Sequence, residues 1–479
     1  MKMKSLFRIV LSVLLILSLS LPVCTAIEMS DKTYEAGKTY SLAEEKIDLS
    51  GFPVYAPAHA LKDLGFPASG QEGLVQIGTY EEIFEDRPLT LKFASNDLST
   101  LMFDNMVCLR DGKLIITYPS YTRGAEDTYG IFERIMNSIV FGRAATRSGM
   151  TFSGDGRYAL YIDGYSALSV GRFDYQLIIL DVDTGEWYLG YTWPTKFTKG
   201  AQCVVGACFD EANEYIYIKA YGNAYKARQS FLRYHIATGE MEHLNSNNIW
   251  SAYANMFRTP DGTYVYELCP IKSNQPGGIV EYKEIDGKWF AIPNYFHVSN
   301  LNQRVTSLEV NSKTGQALMQ LTLAYEQRSD NNPDADLPWN SFPAFSLPVF
   351  KDGVQNLRQV ILFDETFTHA ERVSLQEYTD AAAQVNASGK NFYMIANAVL
   401  SPDGKFAFIV ILDNGIASAR ILNTETLDVS IVAFEEGVIT TKAAFGNGLN
   451  ADYPVGIRFV ANDLIIINTE SGIRLYRIQ

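Results

Sequence analysis

Short runs in which apolar and polar residues alternate recur along most of the chain, and many of them end at a tight turn. Alternation with a period of two predicts half-buried β-strands, and Asp-Gly or a similar pair supplies the positive φ of a hairpin turn. Seven segments share this order of apolar residue, turn and β-rich run. They are LRDGKLIIT from Leu109, FSGDGRYALYI from Phe152, FDEANEYIYI from Phe209, FRTPDGTYVYE from Phe257, VNSKTGQALMQL from Val310, LSPDGKFAFIV from Leu400 and FVANDLIII from Phe459. Each is predicted to form a hairpin of two strands, a and b.

These segments start 43 to 59 residues apart, with one longer spacing of 90. A third strand, c, follows in most repeats, and then a second turn and a fourth strand, d. The c strands are predicted at Gln176–Val182, Ser230–Ile236, Ile279–Ile285, Gln359–Glu365 and Ala417–Asn423. Repeated four-stranded antiparallel units of this length predict an all-β fold, a seven-bladed β-propeller. The long spacing indicates an insertion in blade 5, where the proline-rich residues 327–357 lack alternation and are predicted to form a loop.

The last repeat stops one strand short at Gln479. In closed propellers an N-terminal strand usually completes the last blade, because this removes exposed sheet edges. Gly73–Glu81 is the first candidate for this strand and Lys38–Ala43 the second. The predicted organisation is therefore a leader at 1–26, an N-terminal extension at 27–70 and the propeller at 71–479.

Two Pro-Asp-Gly turns, Pro260–Gly262 and Pro402–Gly404, each follow an apolar residue and precede an aromatic-rich strand. They resemble the repeats of TolB-like and WD-repeat-like propellers, and a weaker likeness covers residues 85–479. The resemblance implies an extracytoplasmic ring used for binding, or the propeller half of a prolyl-oligopeptidase-like peptidase. The peptidase would need a hydrolase domain and a Gly-x-Ser-x-Gly elbow, which the sequence lacks. Turn motifs maintain the fold, so the resemblance implies no active-site residue here.

Composition and charge exclude several classes of protein. Aromatic residues make up 13% of the chain, which favours sheet over helix. A net charge of −14 argues against nucleic-acid binding, which needs a basic surface. P-loop and dinucleotide fingerprints are missing, so no cofactor is predicted.

The first 26 residues have the three parts of a secretory leader. Lys2, Lys4 and Arg8 precede the apolar run Ile9–Leu21, and small residues follow at Cys24–Ala26. The run is shorter than a membrane-spanning helix and contains serines. We therefore predict a secreted or extracytoplasmic protein that keeps no membrane span after the leader is removed.

Candidate metal and disulfide sites are weak in this sequence. Four cysteines follow the leader; buried thiols are favoured, and a bridge between Cys208 and Cys269 stays open. No histidines stand at ligand spacing. Asp330–Asp336 places oxygen side chains at alternate positions, as in the first half of a calcium loop, but lacks the glycine and the distal glutamate. A solvated acidic loop is favoured there, and no metal site is predicted.

Propeller geometry groups the connections on two faces. The b–c and d–a loops form one face, here called the loop face, and the short acidic a–b and c–d turns form the other, the turn face. The b–c loops are long in five successive blades and combine cations with aromatic residues, which dominate binding hot spots. The predicted ligand or partner residues are Tyr121, Arg123, Arg147, Tyr165, Arg172, Tyr225, Arg228, Trp250, Arg304 and Trp339.

The sequence therefore predicts a secreted, monomeric, non-catalytic binding or scaffold protein whose loop face binds a protein or a polysaccharide. The alternative is an extracellular carbohydrate-active enzyme, a polysaccharide lyase or a glycoside hydrolase. It would need carboxylates that converge at the channel mouth, such as Glu126, Asp127, Asp174 and Asp330. A third hypothesis is that residues 27–70 dock the ring to a larger assembly.

Overall fold

The structure of the chain is a computed structural model, and the account below concerns the residues that it describes. These are residues 30–67, 70–85, 87–95, 97–120, 150–167, 172–196, 203–221, 229–247, 249, 256–268, 277–295, 302–324, 341–351, 353–388, 394–413, 416–439, 456–469 and 472–479. The predicted leader and the predicted acidic loop at Asp330–Asp336 lie outside them.

The amino-terminal part of the described chain contributes strands to two different blades. Its elements are β1 (Thr39–Glu45), β2 (Pro53–Pro57), a 3-10 turn (Ala58–Ala60), β3 (Leu74–Thr79) and α1 (Tyr80–Phe84). The Thr79 N–H donates to Glu82 as half of a capping box that starts α1.

Blades 1 to 3 each contain four consecutive antiparallel strands. Their strands are β4 (Leu91–Ala94), β5 (Thr100–Phe103), β6 (Val107–Arg110) and β7 (Lys113–Ile116) in blade 1; β9 (Met150–Phe152), β10 (Tyr158–Ala167), β11 (Arg172–Asp181) and β12 (Glu186–Lys196) in blade 2; and β13 (Cys203–Phe209), β14 (Tyr215–Tyr221), β15 (Gln229–His235) and β16 (Met241–Asn247) in blade 3. A 3-10 turn (Asp104–Met106) separates β5 from β6, and β8 (Tyr118–Pro119) follows β7.

Blades 4 to 7 complete the ring of sheets. Their strands are β17 (Met256–Arg258), β18 (Tyr264–Leu268), β19 (Gly278–Ile285) and β20 (Lys288–Tyr295) in blade 4; β21 (Asn302–Val310), β22 (Ala317–Ala324), β23 (Ser341–Ser346), β26 (Gln359–Phe363) and β27 (Ala370–Ser374) in blade 5; β28 (Met394–Leu400), β29 (Phe406–Asp413), β30 (Ile416–Asn423) and β31 (Val429–Ala433) in blade 6; and β32 (Ile457–Ala461), β33 (Leu464–Thr469) and β34 (Gly472–Ile478) in blade 7. Blade 5 also holds the hairpin of β24 (Val349–Phe350) and β25 (Val354–Gln355), and the helix α2 (Leu375–Ser388) follows it.

The blades pack face to face, and their first strands approach one another at the centre of the ring. In the part of the chain that the structure describes, buried apolar side chains form seven clusters, one at each contact between neighbouring blades. One cluster joins blade 7 to blade 1, with Leu464 and Ile466 packed against Leu101 and Leu114. The chain is therefore an all-β propeller, as the sequence predicts.

Six of the seven predicted a–b hairpins are confirmed by the strand pairing. The prediction for Leu109 is wrong, because Leu109 belongs to the c–d hairpin of blade 1, formed by β6 and β7. The a–b turn of that blade connects β4 to β5 and has Leu98 at a φ of 56° in place of a glycine. The turn therefore lacks the Asp-Gly signal on which the alignment relied.

Blade 5 differs from its prediction in the identity of strand c. Residues 341–346 form β23, which pairs with β22 on one side and with β26 on the other. The predicted c strand at Gln359–Glu365 is therefore the fourth strand, and the prediction of a loop over 327–357 is wrong for the strands inside it. Pro343 within β23 masks the alternation that identifies strands.

Strand β1 completes blade 7, so the prediction that an N-terminal strand closes the last blade is confirmed. Leu42 pairs with Ile478 of β34 in antiparallel register, and Thr39 pairs with Ile431 of blade 6 in parallel register. The first candidate, Gly73–Glu81, is wrong, because its residues form β3 at the outer edge of blade 1. The second candidate, Lys38–Ala43, contains most of β1. Part of the predicted extension thus belongs to the blades.

Side chains next to β1 fasten it to both blades. Tyr34 is buried in the cluster between blades 6 and 7, and its hydroxyl donates to the carbonyl of Asn462 at 2.5 Å. Arg477 of β34 binds Glu45 of β1 at 2.9 Å and the buried carboxylate of Asp463 at 2.5 Å.

The helix α2 packs against the blades. Leu375, Tyr378 and Ala382 of α2 pack in the cluster between blades 4 and 5. Within the described residues, no helix is long and apolar enough to cross a membrane.

Cys108 and Cys208 are buried free thiols, and burial raises the pKa of each. The alternative bridge from Cys208 is therefore not formed.

We predict that Arg477→Ala lowers the free energy of unfolding by about 3 kcal/mol, because it leaves the carboxylate of Asp463 buried without its guanidinium. Urea unfolding of the purified protein measures this loss. The matched control is Arg474→Ala on the same strand, whose partner Glu44 is 41% exposed. An exposed pair contributes less than about 1 kcal/mol. Equal losses in both variants would contradict the role of Arg477 in closing the ring.

Candidate functional site

Three of the ten predicted site residues lie on described strands. Tyr165 is near the end of β10 and Arg172 is the first residue of β11, where the two strands meet at the loop face. Arg304 is the third residue of β21 and pairs with Thr322. The remaining predicted residues lie outside the described part of the chain: Tyr121, Arg123, Arg147, Tyr225, Arg228, Trp250 and Trp339.

The b–c hairpin of blade 2 is described almost to its loop. Strands β10 and β11 have ten residues each. Their pairing continues to Ala167 opposite Arg172. The backbone of this hairpin therefore carries Tyr165 and Arg172 near its loop-face end.

The turn face, in contrast, uses its polar side chains in the fold. In blades 1, 2 and 6 the first turn residue, Ser95, Ser153 or Ser401, donates its hydroxyl to the aspartate two positions later at 2.7 Å. The same hydroxyl accepts the backbone N–H of the residue that starts or adjoins strand b, at 2.9 to 3.0 Å. The Pro-Asp-Gly and related motifs are therefore structural turns.

These hydrogen bonds keep the turn aspartates ionised. Partial burial works to raise the pKa of Asp155 and Asp403, but the hydrogen bonds outweigh it and hold the pKa of both carboxyls below the usual value. The carboxylates are thus occupied by their own turns.

Other acidic residues of the turns form ion pairs, either within a blade or with the neighbouring blade. Arg110 of blade 1 binds Asp183 of blade 2 at 2.7 Å and also donates to the carbonyl of Asp155. Arg157 binds the buried carboxylate of Asp181 at 3.1 Å. The acidic residues that the sequence places on the turn face therefore connect strands and blades to one another.

The innermost strands carry a different charge from the chain as a whole. The first strands of the seven blades are β4, β9, β13, β17, β21, β28 and β32, and they line the axis. Over their described lengths they contain four cationic residues, Lys92, Arg258, Arg304 and Arg458, and one carboxylate, Glu309. Of these cations, Arg258 is paired with Glu211 at 2.8 Å.

Glu309 and Arg458 lie on inner strands near enough for their charges to act on each other. Glu309 of β21 accepts the backbone N–H of Leu400 from blade 6 at 2.8 Å. Arg458 of β32 donates to the carbonyl of Ala94 in blade 1 at 3.3 Å. Each side chain is half-buried. Residues from blades 5, 6, 7 and 1 thus converge on one place.

Burial raises the pKa of Glu309 to about 7, although the Leu400 N–H and the positive charge of Arg458 act in the opposite direction. Burial also lowers the pKa of Arg458, which Glu309 partly offsets. A carboxyl with a pKa near neutrality, within range of the charge of a guanidinium, is a candidate functional group. Sequence reasoning missed both residues. For Arg458 the available signal was a lone charge in the otherwise apolar strand β32, whereas β21 contains Arg304 and several polar residues and gave no such signal for Glu309.

The described residues contain no cluster of potential metal ligands. No group of three or more His, Cys, Asp or Glu side chains there is arranged to hold a metal ion. His59 contacts the carbonyl of Pro119 at 3.1 Å and lies 3.4 Å from Glu186 at the outer rim.

No protein-family model and no curated protein matches the chain. Several solved structures resemble it. An oligogalacturonate lyase in complex with manganese is 12% identical with a TM-score of 0.47, over 86% of this chain and 94% of that chain. TolB from Acinetobacter baumannii is 9% identical with a TM-score of 0.31, over 75% and 71%. The β-propeller domain of the Trilobed protease from Pyrococcus furiosus is 10% identical with a TM-score of 0.37, over 69% and 79%. The predicted TolB-like resemblance is confirmed as a resemblance in fold.

We predict that the stability of Glu309→Gln relative to the wild type rises with pH. The pKa of Glu309 in the folded state lies above its ordinary value of 4.5, so the folded protein holds this proton more tightly than the unfolded chain. Its contribution to stability is therefore present at low pH and lost as the pH rises through about 7. Between about pH 5 and pH 8 the difference should change by about 2 kcal/mol in favour of the variant.

Urea unfolding at several pH values measures this difference. Glu436→Gln is the matched control, because Glu436 is exposed in the segment that follows β31, the last strand of blade 6. A constant difference between Glu309→Gln and wild type over this pH range would show that Glu309 has no raised pKa.

Proposed function

We propose that this chain is a non-catalytic binding or scaffold protein whose ligand docks on the loop face. The observation that carries the proposal is the b–c hairpin of blade 2, whose backbone places Tyr165 and Arg172 near its loop-face end. Tyrosine and arginine are the residue types that contribute most to binding hot spots. Loops on a rigid scaffold are the usual place for such residues.

The opposite face supports the same choice of surface. Asp155, Asp181, Asp183 and Asp403 of the turn face are engaged in turns and ion pairs of the fold. In the sequence, the connections assigned to the loop face combine cations with aromatic residues. A protein or a polysaccharide with polar or anionic groups fits this surface.

The proposed location of the protein is outside the cytoplasm. The basic start, the apolar run of Ile9–Leu21 and the small residues at Cys24–Ala26 have the order of a cleavable secretory leader. Secretion and ligand binding can be tested separately, because the chain can be produced with and without residues 1–26.

We expect the chain without residues 1–26 to bind members of a combined glycan and peptide array. The triple variant with Arg172, Arg228 and Arg304 changed to alanine should bind those members at least tenfold more weakly, since hot-spot arginines each contribute about 1 kcal/mol or more. Its melting temperature should stay unchanged. Titration calorimetry on the strongest array member measures the affinities.

The matched control changes Lys313, Lys351 and Lys405 to alanine, three exposed lysines on the turn side of blades 5 and 6. This triple variant removes the same charge and should bind like the wild type. Equal weakening in both triple variants would place the binding surface elsewhere. Shortened glycans among the array products would instead establish a carbohydrate-active enzyme.

A further inference from the structure

The guanidinium of Arg458 has more hydrogen-bonding capacity than the protein uses. It carries five N–H donors, and within the described residues its one hydrogen bond goes to the Ala94 carbonyl at 3.3 Å. Glu309 acts on it through its charge, yet no ion pair within 4.0 Å joins the two side chains. Arg458 is half-buried on an innermost strand. Several donors therefore remain for a small ligand in the channel.

The surroundings of Arg458 favour a negative ligand. Arg258 is neutralised by Glu211, but Lys92 on the neighbouring inner strand β4 adds a positive charge, and Glu309 is the one carboxylate on the described innermost strands. Partial burial strengthens charge interactions by excluding water. Guanidinium groups match the geometry of carboxylate, sulfate and phosphate oxygens and bind them with two parallel hydrogen bonds.

Glu309 decides how strongly such a ligand can bind. As a carboxylate it repels an anion at Arg458, whereas in its protonated form it is neutral and its O–H can donate a hydrogen bond to an anion. Among the described charged groups, Arg458 from β32 is the one that acts on Glu309, and β28 contributes the uncharged N–H of Leu400. Arg258 lies further round the axis and is paired with Glu211 at 2.8 Å.

We propose that the turn-side end of the axial channel is an oxyanion site, with the guanidinium of Arg458 as its main ligand and the carboxyl of Glu309 protonated in the complex. The ligand is a sulfate, phosphate or carboxylate group, either free or attached to a larger molecule. Binding takes up a proton at Glu309 from solvent and breaks no covalent bond. The site lies inside the channel and stands independently of binding on the loop face.

Proton uptake sets the expected pH dependence. With a free-state pKa of about 7, Glu309 is mostly protonated at about pH 6 and mostly ionised at about pH 8. Affinity for the anion should therefore fall about tenfold between these two pH values. Sulfate is the probe of choice, because its own charge is constant over this range.

The experiment is titration calorimetry of the chain without residues 1–26 with sodium sulfate at constant ionic strength, in two buffers of different ionisation enthalpy. We expect saturable binding, an approach to one proton taken up at about pH 8, and affinity about tenfold weaker at pH 8 than at pH 6. Malonate tests carboxylate oxygens in the same way. Binding of sulfate alone identifies a tetrahedral oxyanion site, and binding of both identifies a general one.

Two variants separate the roles of the residues. Arg458→Lys keeps the charge but loses the planar fork, so it should weaken sulfate binding at least tenfold at pH 6. Glu309→Gln keeps a neutral side chain, so its affinity should be independent of pH and no proton should be taken up. The exposed Glu436→Gln should behave like the wild type.

Three outcomes overturn the proposal. They are the absence of saturable sulfate or malonate binding to the wild type, affinity that is unchanged in Arg458→Lys, and pH dependence that persists in Glu309→Gln. The last measurement decides the issue even if Arg458→Lys does not fold, because Gln at position 309 can still accept the Leu400 N–H.

Discussion

Closure of the ring by β1 is the constraint on which the other features depend. Each blade has two apolar faces, so each needs a neighbour on both sides, and the cluster between blades 7 and 1 exists only in a closed ring. β1 supplies the missing fourth strand of blade 7 and bridges to blade 6 at the same time. The site at Glu309 and Arg458 draws on blades 5, 6, 7 and 1, which include this closing contact. A ring left open between blades 7 and 1 would lose the Ala94 partner of Arg458.

The distribution of charge follows from the same architecture. Acidic side chains suit the turn face because they accept backbone N–H groups and arginines of the next blade, as Asp155 and Asp183 do. An ionised carboxyl on the axis has fewer such donors, and the single described example, Glu309, has a raised pKa. Of the cations on the described inner strands, Arg258 is paired with Glu211, whereas Arg458 donates to the carbonyl of Ala94 and has no ion pair within 4.0 Å among the described residues.

The sequence predicted the features that depend on local chemistry. Alternation and Asp-Gly turns identified six a–b hairpins, because a turn needs a residue that accepts positive φ. The a–b turn of blade 1 was not predicted, because Leu98 takes the positive φ there in place of a glycine. Strand β23 was not predicted, because Pro343 interrupts its alternation of apolar and polar residues. β1, and not Gly73–Glu81, completes blade 7 because of partners more than 400 residues away in the sequence, such as Arg477, which binds Glu45. Glu309 and Arg458 are likewise brought together by the ring, so spacing along the chain could not pair them.

The outer rim of the ring offers few free strand edges among the described residues. Added strands cover the outer edges of four blades: β2 lies on β7, β8 on β12, β27 on β26 and β1 on β31. Of the described sheets, those of blades 3 and 4 end in β16 and β20. β16 exposes Glu242 and His243, and β20 contains Pro293, which has no N–H to donate. Charges and proline on edge strands oppose pairing with another chain. The rim is therefore protected against pairing with a strand of a second chain.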